Sequence, residues 1–460
     1  MIRNYIKKFS IALVLLCISF TAQAQVARTG YFLKGYSYRH RMNPAFMVDR
    51  GYFSFPLLGN TNLGISTNLG ISDFIYPKGD KLVTFMHPDV SADEFLGSLN
   101  KNNNLNLEMD MTVFSLGFYA FGGYNTLDIG LHSRFGVNLP KDFFHFMKVM
   151  GGRDYSLTNM NMYTRNYADI SLAHSHQVTD GLTIGVRLKY LAGLAYAETL
   201  MDNMELSVYG NQWKINAKGS VAASFMGARL LYGEDDAVTG ISEMQPELSG
   251  IGVGADLGVV YDFGNLGAKG LTLSAAVCDI NYIRWKNVSR AGVSPDKPYI
   301  FKGFDNIPLT DAESAIEDQL GSIAEDLGDF FVVKDMGVGS YDDVFGATLN
   351  LGLEYKMPFY ERLSVGALYT QRIDKVYSYS AGSLMLNLSP VNFFDLAASA
   401  TVSTMGFDWG GMFNIHCPGF NLFAAADFYA GKVSKEGLPL ENISASVMFG
   451  INFPFGKRRD

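Results

Sequence analysis

Two-residue alternation dominates this chain. Between residues 443 and 455 the odd positions read Ile443, Ala445, Val447, Phe449, Ile451, Phe453 and Phe455, and the even ones Ser444, Ser446, Met448, Gly450, Asn452 and Pro454. The run from Ile251 to Phe263 repeats this, with Ile251, Val253, Leu257 and Tyr261 on one face and Gly252, Gly254, Asp256 and Gly258 on the other. Segments 127–139, 182–190, 347–355 and 394–402 behave alike. Successive strand residues point to opposite faces, so each run predicts a strand with one apolar face and one small or polar face. The runs are about nine to thirteen residues long, enough for a tilted strand to cross a bilayer and about twice the strand length of soluble sheets. Inward Gly and Ser suit a crowded lumen. Aromatic residues at run ends (Tyr261, Phe263, Tyr355, Phe359, Tyr360, Phe453 and Phe455) match an interfacial girdle. The pattern predicts an all-β fold, a transmembrane outer-membrane β-barrel.

The connections set its polarity. Short turns fall near 122–123, 180–181, 265–267, 358–361, 390–392 and 417–419, and long connections near 73–103, 139–165, 227–249 and 284–345. Barrels of this class turn tightly on the periplasmic side and loop out on the other. Taking 62–72 as the first full strand gives 16 strands. The segment Asn203 to Tyr209 is short for a crossing, and if its hairpin with 213–225 only extends a loop, the count becomes the preferred 14. Short helices belong in the loops: capping boxes open at Ser91-Ala92-Asp93-Glu94 and Thr310-Asp311-Ala312-Glu313, and 142–150 is rich in Phe and Met.

The N-terminus adds an address. Arg3, Lys7 and Lys8 precede an apolar run from Ser10 to Phe20, and Ala22-Gln23-Ala24 completes a signal-peptide pattern with cleavage near Ala24/Gln25. The expected organisation is signal peptide 1–24, an N-terminal plug segment 25–50 and a barrel over 51–460, in the cell outer membrane. Removing those three basic residues takes the formal charge from -8 to -11, which excludes a nucleic-acid partner. Three cysteines exclude a disulfide scaffold, and Cys278 and Cys417 are expected as free thiols.

Candidate chemistry is sparse. His174 and His176 share a strand face without a third metal ligand, and the inward His132 and His416 have no adjacent nucleophile. The expectation is no enzyme, no metal and no cofactor. The predicted luminal charges are of both signs: Arg134, Arg187, Lys189, Lys214, Lys218, Asp256, Asp262, Glu354, Lys356, Asp395, Asp408 and Asp427. Mixed signs fit paired side chains filling the interior, or charges that solubilise a water-filled lumen, better than an ion-selective ring. Arg39, His40 and Arg41 of the plug segment are expected to face Asp256, Asp262, Asp395 and Asp427.

Ahead of the first strand stand Arg41, Asn43, Pro44, Ala45 and Phe46, followed by Pro56 and an Asn/Gly-rich strand. Pro44 fixes its own φ and holds Asn43 extended, which suits an elbow into the barrel. An N-terminal segment bearing Asn-Pro-Ala in this position resembles the FadL-type transporter superfamily. It looks most like a Bacteroidota family of unknown function within that superfamily, which is also similar to the PorV-type barrels of type IX secretion. Phe46 stands where the fatty-acid transporters usually carry Gly. The resemblance implies a 14-stranded barrel with its N-terminal segment folded into the lumen.

Two functional classes follow. One is binding or transport of hydrophobic or amphipathic small molecules, favoured if Phe143, Phe144, Phe146 and Met147 line a greasy groove. The other is an interaction barrel serving a secretion or assembly partner protein, favoured if the acidic stretch Asp311 to Phe331 docks a basic surface. Besides outer-membrane lipid, the partner is one of these two. An apolar tunnel through the barrel would support the first, and a filled lumen the second.

Overall fold

The computed structural model describes residues 28–457 except 56–57, 80, 150–153, 159, 210–211, 229, 233–237, 244, 246, 294–298, 302–333, 375–377, 405 and 431–442. The signal segment 1–24, plug residues 25–27, Pro56 and the acidic stretch 311–331 lie outside these, as do the side chains of Lys214 and Lys218.

Fourteen antiparallel staves close into one barrel. They are β1 (Gly51–Ser54 with Thr61–Thr67), β2 (Asn102–Ala120), β3 (Gly123–Pro140), β4 (Asn161–Gln177), β5 (Leu182–Tyr209), β6 (Gly250–Asp262) and β7 (Leu271–Val293). Then come β8 (Lys334–Phe345 with Ala347–Lys356), β9 (Leu363–Ile373), β10 (Tyr379–Val391), β11 (Phe394–Ser403), β12 (Gly406–Cys417), β13 (Phe420–Ala430) and β14 (Ile443–Phe455). Each pairs with the next, and β14 returns to β1 through Phe53↔Phe453 and Leu63↔Val447, which closes the barrel.

The count of 14 follows from one strand that does not cross alone. Gln212–Phe225 turns back on the far half of β5, then pairs with β7 through Gly219↔Val293 to Ala223↔Ser289. It continues the column in which β6 lies and adds no stave. Ser249 closes the seam: its Oγ accepts from Met226 N at 2.7 Å and donates to Leu194 O at 2.8 Å. Two expected boundaries move. The first stave is broken in two rather than running 62–72, and the 284–345 connection is strand through Val293 and again from Lys334.

The alternation sorts the faces as anticipated. On β6, Ile251, Val253 and Leu257 are exposed outward while Asp256 is buried inward. Leu172, Leu188, Leu351, Leu384 and Val402 extend this outer apolar belt, and Phe121, Phe359, Phe393, Phe420 and Phe455 ring the short-turn rim. A surface of this kind is matched to lipid, with aromatics at the interface. At the other rim, the loops after β1 and β3 fold together. A hairpin (Ile75–Lys78 and Lys81–Thr84), α1 (Ala92–Ser98, its Ser91 Oγ accepting from Glu94 N at 3.0 Å) and α2 (Lys141–Val149) enclose Tyr76, Val90, Phe95, Leu96, Leu99 and Phe144. Phe144 and Phe143 thus belong to the core of a cap, and Phe146 packs edge-on against Tyr155. The greasy groove expected of them is replaced by a small folded unit.

Candidate functional site

Residues 28–50 run inside the barrel, across its short-turn half. Arg28 N donates to Asp427 Oδ2 at 2.7 Å, and Thr29 Oγ1 bonds Ser399 Oγ at 2.6 Å and also Asp427. The chain descends to Gly35, whose carbonyl accepts from Asn421 Nδ2 at 3.3 Å, and turns through a short 3-10 segment, Ser37–Arg41. It leaves beside Tyr119, whose hydroxyl donates to Val48 O at 2.7 Å. Tyr31, Phe32, Tyr36, Tyr38, Met42 and Phe46 are buried against Leu368, Met385, Met412, Phe423 and Met448 of the wall. Tyr36 and Phe423 meet edge-to-face at 4.9 Å. Burial pushes the Tyr31 hydroxyl up to about 12.

The Asn43-Pro44-Ala45 elbow is built by both chain and wall. Ala45 N donates to Asn43 Oδ1 at 2.9 Å, an Asx turn, and Ser175 Oγ holds Ala45 O at 3.0 Å. Asn43 Nδ2 reaches Val259 O and Ala275 O, each at 3.4 Å. Two cross-strand partners, Gly185 and Gly258, make the room. A Cβ on Gly258 would sit 2.1 Å from Asn43 Oδ1, and one on Gly185 2.2 Å from the Pro44 carbonyl carbon. Phe46 lies under the Arg39 guanidinium, 4.2 Å from ring centroid to Cζ.

The luminal charges pair differently from the sequence expectation. His40 Nε2 stands 3.2 Å from Asp128 Oδ2, which Arg187 also reaches at 3.2 Å. Lys189 bridges Asp256 at 2.7 Å and Asp279 at 2.6 Å. Asp395 lies 3.0 Å from His416 Nε2, and Glu354 accepts from Ser364 at 2.7 Å. Asp262 is not luminal: it caps the turn after β6 by accepting from Gly264 N at 2.8 Å. Lys356 sits at the end of β8, its amide bonded to Gly270 O. Asp427 meets Arg28 and Thr29, and Asp408 is buried nearby on β12. Of the four carboxylates expected opposite Arg39, His40 and Arg41, none contacts them. Both inward histidines bond carboxylates, His132 through Asp110 at 2.5 Å and Asp169 at 2.6 Å.

Further out, ion pairs span the lumen. Arg372 on β9 bonds Glu108 on β2, staves half a circumference apart. Arg165 on β4 reaches Asp343 on β8 at 2.7 Å and Asp374, just past β9, at 3.6 Å. Arg134 supports the Arg372–Glu108 bridge through Glu108 at 3.7 Å and also holds Asp110 at 2.8 Å. Between this bridge and residues 28–50 lies a chamber with about 120 Å³ of free space, lined by Tyr38, Arg41, Met42, Asp110, His132, Asp169, Lys189, Asp279, Asn281 and Thr370 among others. That is room for several waters or one small group. Arg41 enters it from the plug. Burial works against its charge, but Asp169, Asp128, Asp110 and Asp279 outweigh that and hold the guanidinium above its ordinary value.

Among solved structures, the chain is similar to the Ralstonia pickettii toluene transporter TbuX (9% identity, 91% of this chain and 94% of that one, TM-score 0.45). It is also similar to a Pseudomonas aeruginosa FadL homologue (13%, 94% and 99%, TM-score 0.43) and to the Pseudomonas putida toluene transporter TodX (11%, 94% and 98%, TM-score 0.41). No curated protein matches the sequence. A model described as a family of unknown function (DUF5723) matches residues 44–427, from the proline of the elbow to the carboxylate that meets Thr29, and the chain belongs to that family.

Proposed function

We propose that this protein is a gated outer-membrane barrel that admits an amphipathic small molecule to a luminal chamber, with residues 28–50 as the movable element. The chamber itself supports this reading. It has Tyr36, Tyr38, Met42 and Met448 on one side, Arg372 of the Arg372–Glu108 bridge on the other, and charged side chains between. A purely hydrocarbon cargo would desolvate those ion pairs without bonding any of them, whereas an amphipathic one matches apolar floor and polar wall. The plug is held by many separate hydrogen bonds, the longest at 3.5 Å from the Tyr124 hydroxyl to Arg50 O. Deleting residues 28–42 is expected to raise single-channel conductance in a planar bilayer several-fold. Unchanged conductance would reject the gate.

A secretion or assembly partner is the second reading, favoured by the filled short-turn half of the lumen. It expects a barrel closed to solutes whose cap, around Phe95 and Phe144, does the binding. Liposome uptake of small amphiphiles by the intact protein would count against it.

A further inference from the structure

Six side chains of alternating sign form a row across the lumen. Arg134 of β3 meets Glu108 of β2 at 3.7 Å, and Glu108 in turn bonds Arg372 of β9. Arg372 reaches Asp374 at 3.4 Å, Asp374 reaches Arg165 of β4 at 3.6 Å, and Arg165 bonds Asp343 of β8 at 2.7 Å. Three cations balance three carboxylates. Arg372 stands at the end of β9 away from the short turn at 358–361, and Glu108 and Arg165 lie toward the loop-side starts of β2 and β4. The row therefore belongs to the loop side of the barrel.

Two guanidiniums make every crossing. Arg372 joins β9 to β2, and Arg165 joins β4 to β8 and to Asp374 just past β9; no stave is a wall neighbour of the one it is joined to. Side chains reaching into an open, water-filled lumen stay wet, yet none of the six is more than 15% exposed. Arg134, Arg165, Arg372 and Asp374 also line the chamber, so the row bounds it on that side. The two ends of the row differ. Asp343 accepts a second bond from Trp285 Nε1 at 3.3 Å, and the Arg165 guanidinium lies over the Tyr163 and Phe345 rings at 5.2 and 5.3 Å. Arg372 and Arg134 keep the most contact with water, so parting begins at the Arg372–Glu108 link.

We propose that this row is a second gate, which closes the chamber toward the loops as residues 28–50 close it toward the short turns. A solute then passes one barrier at a time. Ion pairs suit that duty. The attraction within a buried pair is largely offset by the hydration its charges give up, so a row that parts into water regains much of what it loses. Closed and open states therefore lie near enough in free energy for a passing solute to bias them. An apolar seal of the same extent would expose its surface at about 25 cal/mol per Å² with no such return. The proposal rests on the chamber lying on the route of the solute.

Cys278 reports the state of the gate. It lines the chamber beside a one-residue bulge that turns Asp279 inward, where Ala255 pairs with Ile280 but Leu257 with Val277. Cys417→Ser leaves it the one thiol beyond the signal segment. The full-length protein carrying that change is treated in detergent with a cationic methanethiosulfonate, and modification of Cys278 is followed by mass. Arg372→Ala should speed modification at least about tenfold, since the rate follows the open population, and adding Arg165→Ala should speed it further. The exchange Arg372→Glu with Glu108→Arg should return it toward the wild-type rate. In planar bilayers, deletion of 28–42 should conduct more with Arg372→Ala than without it. Heat-modifiable gel mobility checks that each variant is folded. If Arg372→Ala does not fold, Glu108→Gln, which removes the charge and keeps the shape, decides by the same rate. An unchanged rate in the folded variants, a wild type modified as fast as urea-unfolded chain, or an exchange variant as fast as Arg372→Ala would overturn the second gate. The two gates fail separately. Faster modification with no effect of the deletion on conductance leaves the charged row as the gate and rejects the plug, and the opposite result leaves the plug alone.

Discussion

The two halves of the barrel wall hold the same plug by different physics. Staves β9 to β14 are short and regular, ten to thirteen residues each, and meet it with Leu368, Met385, Ala397, Met412, Phe423, Ala425 and Met448. Staves β2 to β5 run seventeen to twenty-eight residues, and the wall from β2 to β8 meets it through polar groups, Thr112 with Arg41, Asp128 with His40, Ser175 with Ala45 O and Asn350 with Met42 O. The apolar half grips chiefly by shape, with polarizable Met filling the irregular gaps, and adds neutral or backbone bonds from Ser399, Asn421 and Asp427. The charged half grips by pairings that an ion or a ligand can exchange. One half anchors the segment, and the other is where a signal can enter.

Four perturbations would break or sharpen that contrast. The largest falls on the apolar half. Phe423→Ala removes a fully buried ring between Tyr36 and Tyr38 and should cost about 3–5 kcal/mol, read as a lower urea midpoint together with tryptic cleavage inside residues 28–50. On the charged half, Arg372→Ala should cost about 3 kcal/mol, the low end for a broken buried pair because Glu108 keeps Arg134 at 3.7 Å. The double exchange Arg372→Glu with Glu108→Arg should recover most of that urea midpoint if the bridge is a pair rather than two independent charges. Gly258→Val should cost about 1–3 kcal/mol by overpacking, while leaving the barrel heat-modifiable and expelling only the Asn43-Pro44 elbow, seen as protease access. Smallest is the cap: Glu94→Gln removes a half-exposed partner of Lys78 and should shift stability by under about 1 kcal/mol.

Much of the barrel was legible because alternation is local. The faces of β6 and β14, the tight turns and the helix at Ser91 all follow from neighbours in sequence, and the brevity of 203–209 held the clue to fourteen staves. A turn at Asn43-Pro44 can be read from the proline alone, whereas the room that Gly185 and Gly258 make for it cannot, since those glycines looked only like crowded lumen. The charged half resisted for two reasons. Its pairs join residues hundreds of positions apart, as Arg372 and Glu108 do, and a period of two assigns Asp279 to the wrong face because it cannot count a bulge. A fainter signal was present. Asp128 between Leu127 and Ile129 and Asp169 between Ala168 and Ile170 are each the one carboxylate of their strand, and Asp110 between Met109 and Met111 follows Glu108 by two residues.

The link from Arg372 to Glu108 also bears on the form of the cylinder. Hydrogen bonding around fourteen staves fixes the perimeter, so drawing two opposite points together can only flatten the ring. An ellipse encloses less area than a circle of equal girth. The bore at that level is therefore set by the combined reach of two side chains and not by the number of strands. A tie rod of this sort lets one rupture widen the passage without breaking a single backbone bond.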